Sequence, residues 1–227
     1  MIPKIKICGI TNPTEAEYLK ECNVEYAGIV MYYEKSKRNN TIESAKAIMK
    51  ALSTPYQIGD EVSNRRIIPT IKKVAVTVSP TIQQVSTIEE IGFDMIQIHG
   101  ELSAEVLENT SIPIIRAMNV STEISVEEYL KEPKIQGILF DGKVPGSGKT
   151  FDWSKIQELD RHGKLLILAG GINSHNVVEG IRQVNPDIVD VSSSVEYVAD
   201  GIGCVKMGKD PDRIKIFVEK VRTEKEN

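Results

Sequence analysis

Eight short apolar runs alternate strictly with eight helix-like segments, and this pattern predicts an α/β chain folded as a closed (β/α)8 (TIM) barrel. Two further observations favour a closed barrel over an open, doubly wound sheet. With 227 residues the chain has room for eight strand–helix units and little else. Polar residues also gather at the C-terminal ends of the strand-like runs, where a barrel carries its site. The chain is read as a single domain over residues 1–227, with a loop insertion at 53–70 that has no clear period and contains two prolines.

Residues 4–8 form the first expected strand, and Asn12 caps a helix that Pro13 starts and that runs to Cys22. Strand two is 26–31, followed by a polar loop to Arg38. Thr41 then opens a helix with apolar residues at Ile42, Ala45, Ile48, Met49 and Leu52. Strand three is 73–79, with a helix from Pro80-Thr81, and strand four is 95–99, with a helix over about 102–109. Strand five is 112–118, with a helix near 125–131. Strand six is 137–141, before a Gly-rich loop and a helix capped by Asp152. Strand seven ends at Leu168 before Ala169-Gly170-Gly171, with a helix expected over 174–184. Strand eight, 187–191, ends in Ser192-Ser193-Ser194, and the last helix is 211–221.

Successive side chains in a strand point to opposite faces. Ile5 and Ile7 lie opposite Lys6 and Cys8; Val74, Val76 and Val78 lie opposite Ala75, Thr77 and Ser79. Ile96 and Ile98 oppose Gln97 and His99, Ile138 and Phe140 oppose Leu139 and Asp141, and Val189 and Val191 oppose Asp190 and Ser192. The first-named set in each strand suits packing beneath helices, while the second becomes polar towards the C-terminal mouth. Strands one and eight are neighbours in a closed barrel, so Lys6 and Asp190 are expected to meet as an ion pair, structural or functional.

Composition excludes several classes. Lys and Arg number 28 against 32 Asp and Glu, for a net charge of −4 without a basic block, which argues against a nucleic-acid surface. The start, Met1-Ile2-Pro3-Lys4, has no secretory apolar region, and no apolar run approaches the roughly 18 residues of a membrane span. Cys8, Cys22 and Cys204 are odd in number and far apart, so neither a disulfide framework nor a zinc site is expected. The expectation is a soluble, cytoplasmic protein.

The polar cluster at the strand ends comprises Cys8, Gln97, His99, Asp141, Asp190 and Ser192. Cys8 is either an inert buried cysteine or a thiolate base, and the second role needs nearby positive charge. A carboxylate such as Asp141, raised by burial, can act as a general acid. Arg38 overhangs the mouth, as a solvated charge or as a bidentate clamp for a carboxylate. Gly170-Gly171 and Ser193-Ser194 end the last two strands, and they are either ordinary corners or backbone donors to a phosphate. Gly146-Ser147-Gly148-Lys149-Thr150 imitates a nucleotide P-loop, but the position five before Gly148 is Lys143, so the spacing fails. A metal-dependent sugar-phosphate epimerase is disfavoured because, of His99, His162 and His175, His99 alone ends a strand.

Lys6-Ile7-Cys8-Gly9-Ile10-Thr11, Lys35-Ser36-Lys37-Arg38, Gln97-Ile98-His99-Gly100, Gly146 to Trp153, Ala169-Gly170-Gly171-Ile172-Asn173 and Asp190-Val191-Ser192-Ser193 together resemble the phosphoribosylanthranilate isomerase family, in family order. The resemblance implies a cofactor-free, metal-free barrel isomerase of tryptophan biosynthesis acting on a small phosphorylated substrate by an Amadori rearrangement. It implies Asp141 as general acid and Cys8 as general base, with Arg38, Asp190 and His99 on the substrate. Gly170, Gly171, Ser193 and Ser194 are implied to hold its phosphate. Ser194 stands where the family usually has glycine, and Thr77-Val78-Ser79 replaces its F-V-N. Two alternatives stay open: an isomerase of a related phosphosugar, which those departures motivate, and a non-catalytic binder of phosphorylated ligands.

Overall fold

The computed structural model describes residues 2–54, 70–119, 126–142, 152–157, 159–198 and 207–223, and the backbone at 57–58 and 66–67. Its barrel strands are β1 (Lys4–Cys8), β2 (Tyr26–Met31), β3 (Lys72–Val78), β4 (Met95–His99), β5 (Ile114–Asn119), β6 (Ile135–Asp141), β7 (Leu165–Leu168) and β8 (Ile188–Val191). Each pairs in parallel with its neighbours in chain order, and β1 pairs with both β2 and β8, which closes the ring. The helices are α1 (Pro13–Glu21), α2 (Ile42–Ser53), α3 (Ile82–Ile91), α4 (Ala104–Asn109), α5 (Val126–Lys131), α6 (Ser154–Gln157), α7 (Val177–Val184) and α8 (Pro211–Arg222).

Local chemistry sets most of the boundaries. The Asn12 carboxamide accepts the Glu15 N–H ahead of Pro13, Thr81 and Gln84 form a reciprocal capping box, and the Asp210 carboxylate accepts from Asp212 and Arg213. Each such cap stabilises its helix by about 1 kcal/mol. Within the 53–70 segment, Gln57–Ile58 and Arg66–Ile67 pair antiparallel. The rest of that segment from residue 55 to 69, the P-loop-like 146–150 run and Cys204 lie outside the described residues. No helix among the described residues is long and apolar enough to cross a membrane.

Two cores result. Ile5, Ile7, Ile96, Ile98, Ile138 and Val189 pack between strands and helices; Tyr26, Met95, Ile115, Leu139 and Ile167 fill the barrel interior. The parity reading holds for β1, β4, β6 and β8 but is inverted in β3. Val74 and Val76 belong to the interior and Val78 lines the mouth, while Ala75 packs under the helices. The lower interior of a barrel is itself a layered apolar core, so branched residues do not distinguish the two faces. Small Ala75 instead fits where a helix lies close.

Helix α7 also departs from expectation, starting at Val177 rather than 174. Asn173 N–H donates to the Asn176 side chain at 2.8 Å, His175 N–H donates to the Asn173 side chain at 2.8 Å, and Asn176 Nδ2 donates to Gly171 O at 2.9 Å. These local side-chain bonds compete with the helix and hold the turn outside it.

Candidate active site

The C-terminal mouth of the barrel encloses a cavity of about 630 Å3, large enough for a drug-sized ligand. Cys8, Arg38, His99, Asp141, Gly170, Gly171, Asp190 and Ser193 all line it, drawn from β1, β2, β4, β6, β7 and β8 or the loops that follow them. The sequence-expected residues are therefore brought together, save that Ser194 is not on the wall.

At the base, the Lys6 ammonium donates to Asp190 Oδ2 at 2.9 Å, forming the expected pair across the ring closure. Gly28 on β2 makes room above it: a Cβ there would lie 2.9 Å from Cys8 Sγ and 3.1 Å from Lys6 Nζ. The thiol thus has its cation at hand. Burial nevertheless pushes the Cys8 thiol up, Lys6 pulls it back only in part, and Asp190 adds to the rise. The lowering that a base role calls for is not produced by this arrangement alone, because desolvation outweighs one paired lysine.

Asp141 ends β6 across the mouth. Burial is the largest influence on its carboxyl; the Gly142 N–H bond to Oδ1 at 2.8 Å opposes it, and the net effect raises the group to about 6. It therefore keeps its proton at pH values where an ordinary aspartate has lost it, as a general acid requires. His99 is held down to about 4 by burial and by the charges of Lys6 and Arg116, so its ring is neutral, with Nε2 lying 2.8 Å from Gln97 Nε2.

At the ends of β7 and β8, the Ser194 hydroxyl donates to Ile172 O at 2.8 Å and ties the loop after β8 to the loop after β7. Ser194 lies in the 3-10 turn Ser193–Val195 and is not among the residues with positive φ. The backbone at Ser194 therefore accommodates a side chain without left-handed strain. Among the described residues, no group of three His, Cys, Asp or Glu is arranged to hold a metal.

Two residues at the rim were not picked out from the sequence. Glu196 accepts from Arg38 Nε, and its carboxylate also meets Lys209 Nζ at 3.2 Å and Lys37 Nζ at 3.2 Å. Lys209 is fully buried. Its only local signal was a lysine set between Gly208 and the helix cap Asp210.

Residues 5–220 match the family model described as N-(5'phosphoribosyl)anthranilate (PRA) isomerase. The chain belongs to that family. An N-(5'-phosphoribosyl)anthranilate isomerase of Streptococcus pneumoniae (strain Taiwan19F-14) is 33% identical over 222 residues, covering 96% of each chain. The phosphoribosyl anthranilate isomerase of Thermotoga maritima superposes with a TM-score of 0.77 at 32% identity, covering 97% of this chain and 99% of that one. A further phosphoribosyl anthranilate isomerase, solved in complex with reduced 1-(o-carboxyphenylamino)-1-deoxyribulose 5-phosphate, has a TM-score of 0.74 at 30% identity, covering 97% and 99%. Phosphoribosylanthranilate isomerases are thus matched along almost the whole barrel, both in sequence and in backbone.

Proposed function

We propose that Asp141 and Cys8 are the acid–base pair with which this isomerase converts N-(5'-phosphoribosyl)anthranilate to 1-(2-carboxyphenylamino)-1-deoxyribulose 5-phosphate. One observation carries the assignment: the two groups line a single cavity from β6 and β1, the first raised to about 6 and the second beside a buried ammonium.

Asp141 donates its proton to the ribose ring oxygen as the C1′–O bond breaks, leaving an iminium. Cys8, as thiolate, removes the C2′ proton, and the electron pair moves into the C2′–C1′ bond to give an enolamine. Tautomerisation of the enolamine gives the ketone. Lys6 favours the thiolate in this step, because the ammonium is held by Asp190 and does not have to be reorganised.

Arg38 holds the anthranilate carboxylate, and the backbone around Gly170, Gly171, Ser193 and Ser194 holds the phosphate. Anchoring both ends places the ring oxygen and C2′ between the two catalytic groups. Neutral His99 and Asp190 border the ribose. The whole chain acts as one domain.

The test is turnover of the fluorescent anthranilate substrate by purified protein. Cys8→Ala and Asp141→Asn are each expected to lower kcat by about 10²–10⁴-fold. Near-normal kcat in both variants would overturn the assignment.

A further inference from the structure

We propose that Glu196 and Lys209 are positioning residues that hold Arg38 in the orientation needed to receive the substrate carboxylate. The proposal rests on the reading that Arg38 binds that carboxylate.

The two residues stand at the neck of the segment joining β8 to α8, where their backbones form an antiparallel bridge. Tyr197 N–H donates to Gly208 O at 3.1 Å and Asp210 N–H to Val195 O at 2.9 Å, so the neck is pinned on both sides of the bridge. From α1, Glu15 Oε1 accepts Lys209 N–H at 2.8 Å. The Lys209 ammonium reaches Glu196 at 3.2 Å and Ser192 O at 3.0 Å, and the Ser192 hydroxyl donates to Cys8 O at 2.9 Å. A continuous path therefore runs from Arg38 through Glu196, Lys209 and Ser192 to the strand that bears Cys8.

The charges agree with the geometry. Burial alone would raise the Glu196 carboxyl, but the Arg38 hydrogen bond and the Lys209 charge hold it down to about 2. It is an ion at any working pH. Arg38, Lys209 and Glu196 together remain net positive, so the guanidinium is oriented without being neutralised. A guanidinium has five N–H donors, and the bond at Nε uses one of them. An arginine side chain is rich in rotamers, and fixing Arg38 beforehand removes much of its ordering cost from the binding step.

The experiment is a double-mutant cycle on kcat and KM with Glu196→Gln and Arg38→Met in the full chain. Glu196→Gln is expected to raise KM about tenfold with kcat within about threefold, the signature of lost binding rather than lost chemistry. In the Arg38→Met background the same change should add nothing. An equal KM increase in both backgrounds would overturn the positioning role while leaving Arg38 as the carboxylate ligand. An unchanged KM in Arg38→Met alone would instead remove the reading on which the proposal rests. Should Glu196→Gln fail to fold, Glu196→Asp keeps the charge, withdraws it by one methylene and carries the same cycle.

Discussion

Lys6 Nζ lies 2.9 Å from Asp190 Oδ2 inside the barrel, with side-chain exposures of 0% and 7%. Burial works against the Lys6 charge, yet Asp190 holds the ammonium above its ordinary range. Removing one partner of such a pair leaves a buried, uncompensated charge, which typically costs ~3–5 kcal/mol. Lys6→Met should therefore lower stability by an amount of that order and depress kcat as well. The double variant Lys6→Met/Asp190→Leu should recover most of the stability but little activity. Urea unfolding beside steady-state kinetics separates the two effects; recovery of both together would show that the pair is structural only.

Asp141 sits in the opposite balance, stabilising its neutral form. Its carboxyl lies at about 6 in the fold against 3.8 ordinarily, so the folded chain binds more protons between those values. Stability should fall as pH rises through that window and stay reduced above it. Asp141→Asn removes the penalty. The variant should unfold at higher urea concentration at pH 8, by roughly 1–3 kcal/mol, and match the wild type at pH 4. Its loss of turnover would then come with a gain in stability, an exchange common at catalytic sites.

The pH dependence of kcat/KM follows from the order of the two groups. In the proposed mechanism Asp141 is needed protonated and titrates near 6, while Cys8 is needed ionised and is pushed up from its ordinary value by burial. Below about 6 the productive form grows with pH as thiolate accumulates. Between the two values, each gain in thiolate is cancelled by an equal loss of protonated Asp141, and the rate is level. Above the thiol value it falls. A series of rate measurements across pH should show this plateau from about pH 6 into the alkaline range, up to the titration of the raised thiol. A decline inside that range would place the thiol low in the free enzyme.

The strands that bear Cys8, His99, Asp141 and Asp190 are legible because their alternation is unambiguous: a lysine, a cysteine, a histidine or an aspartate facing branched neighbours leaves one choice of face. Val74, Val76 and Val78 offered no such contrast, and β3 was read inside out. The late start of α7 was hidden because Asn173 and Asn176 bond to local backbone in a way that a helical pattern does not reveal. Glu196 and Lys209 escaped for a different reason. Their meaning depends on a bridge between two stretches either side of a long connection, and no local spacing encodes it.

Gly170 packs the loop after β7 against Asp141. Its φ is +73°, and a Cβ there would collide with Gly142 N and lie 2.7 Å from Asp141 Oδ1. The Gly142 N–H bond is the main influence holding the Asp141 carboxyl down against burial. Gly170→Ala should disturb that bond, move the acid upward and lower kcat by more than about tenfold, while raising KM through the displaced loop. Backbone strain alone, on the order of 1–2 kcal/mol, would lower stability without either kinetic effect. Gly92→Ala supplies that comparison: its φ is +93° at the end of α3, and a Cβ there meets nothing within 4 Å. Both variants should lose stability, but only Gly170→Ala should lose turnover. If the two behave alike in kcat and KM, the loop and the acid are independent.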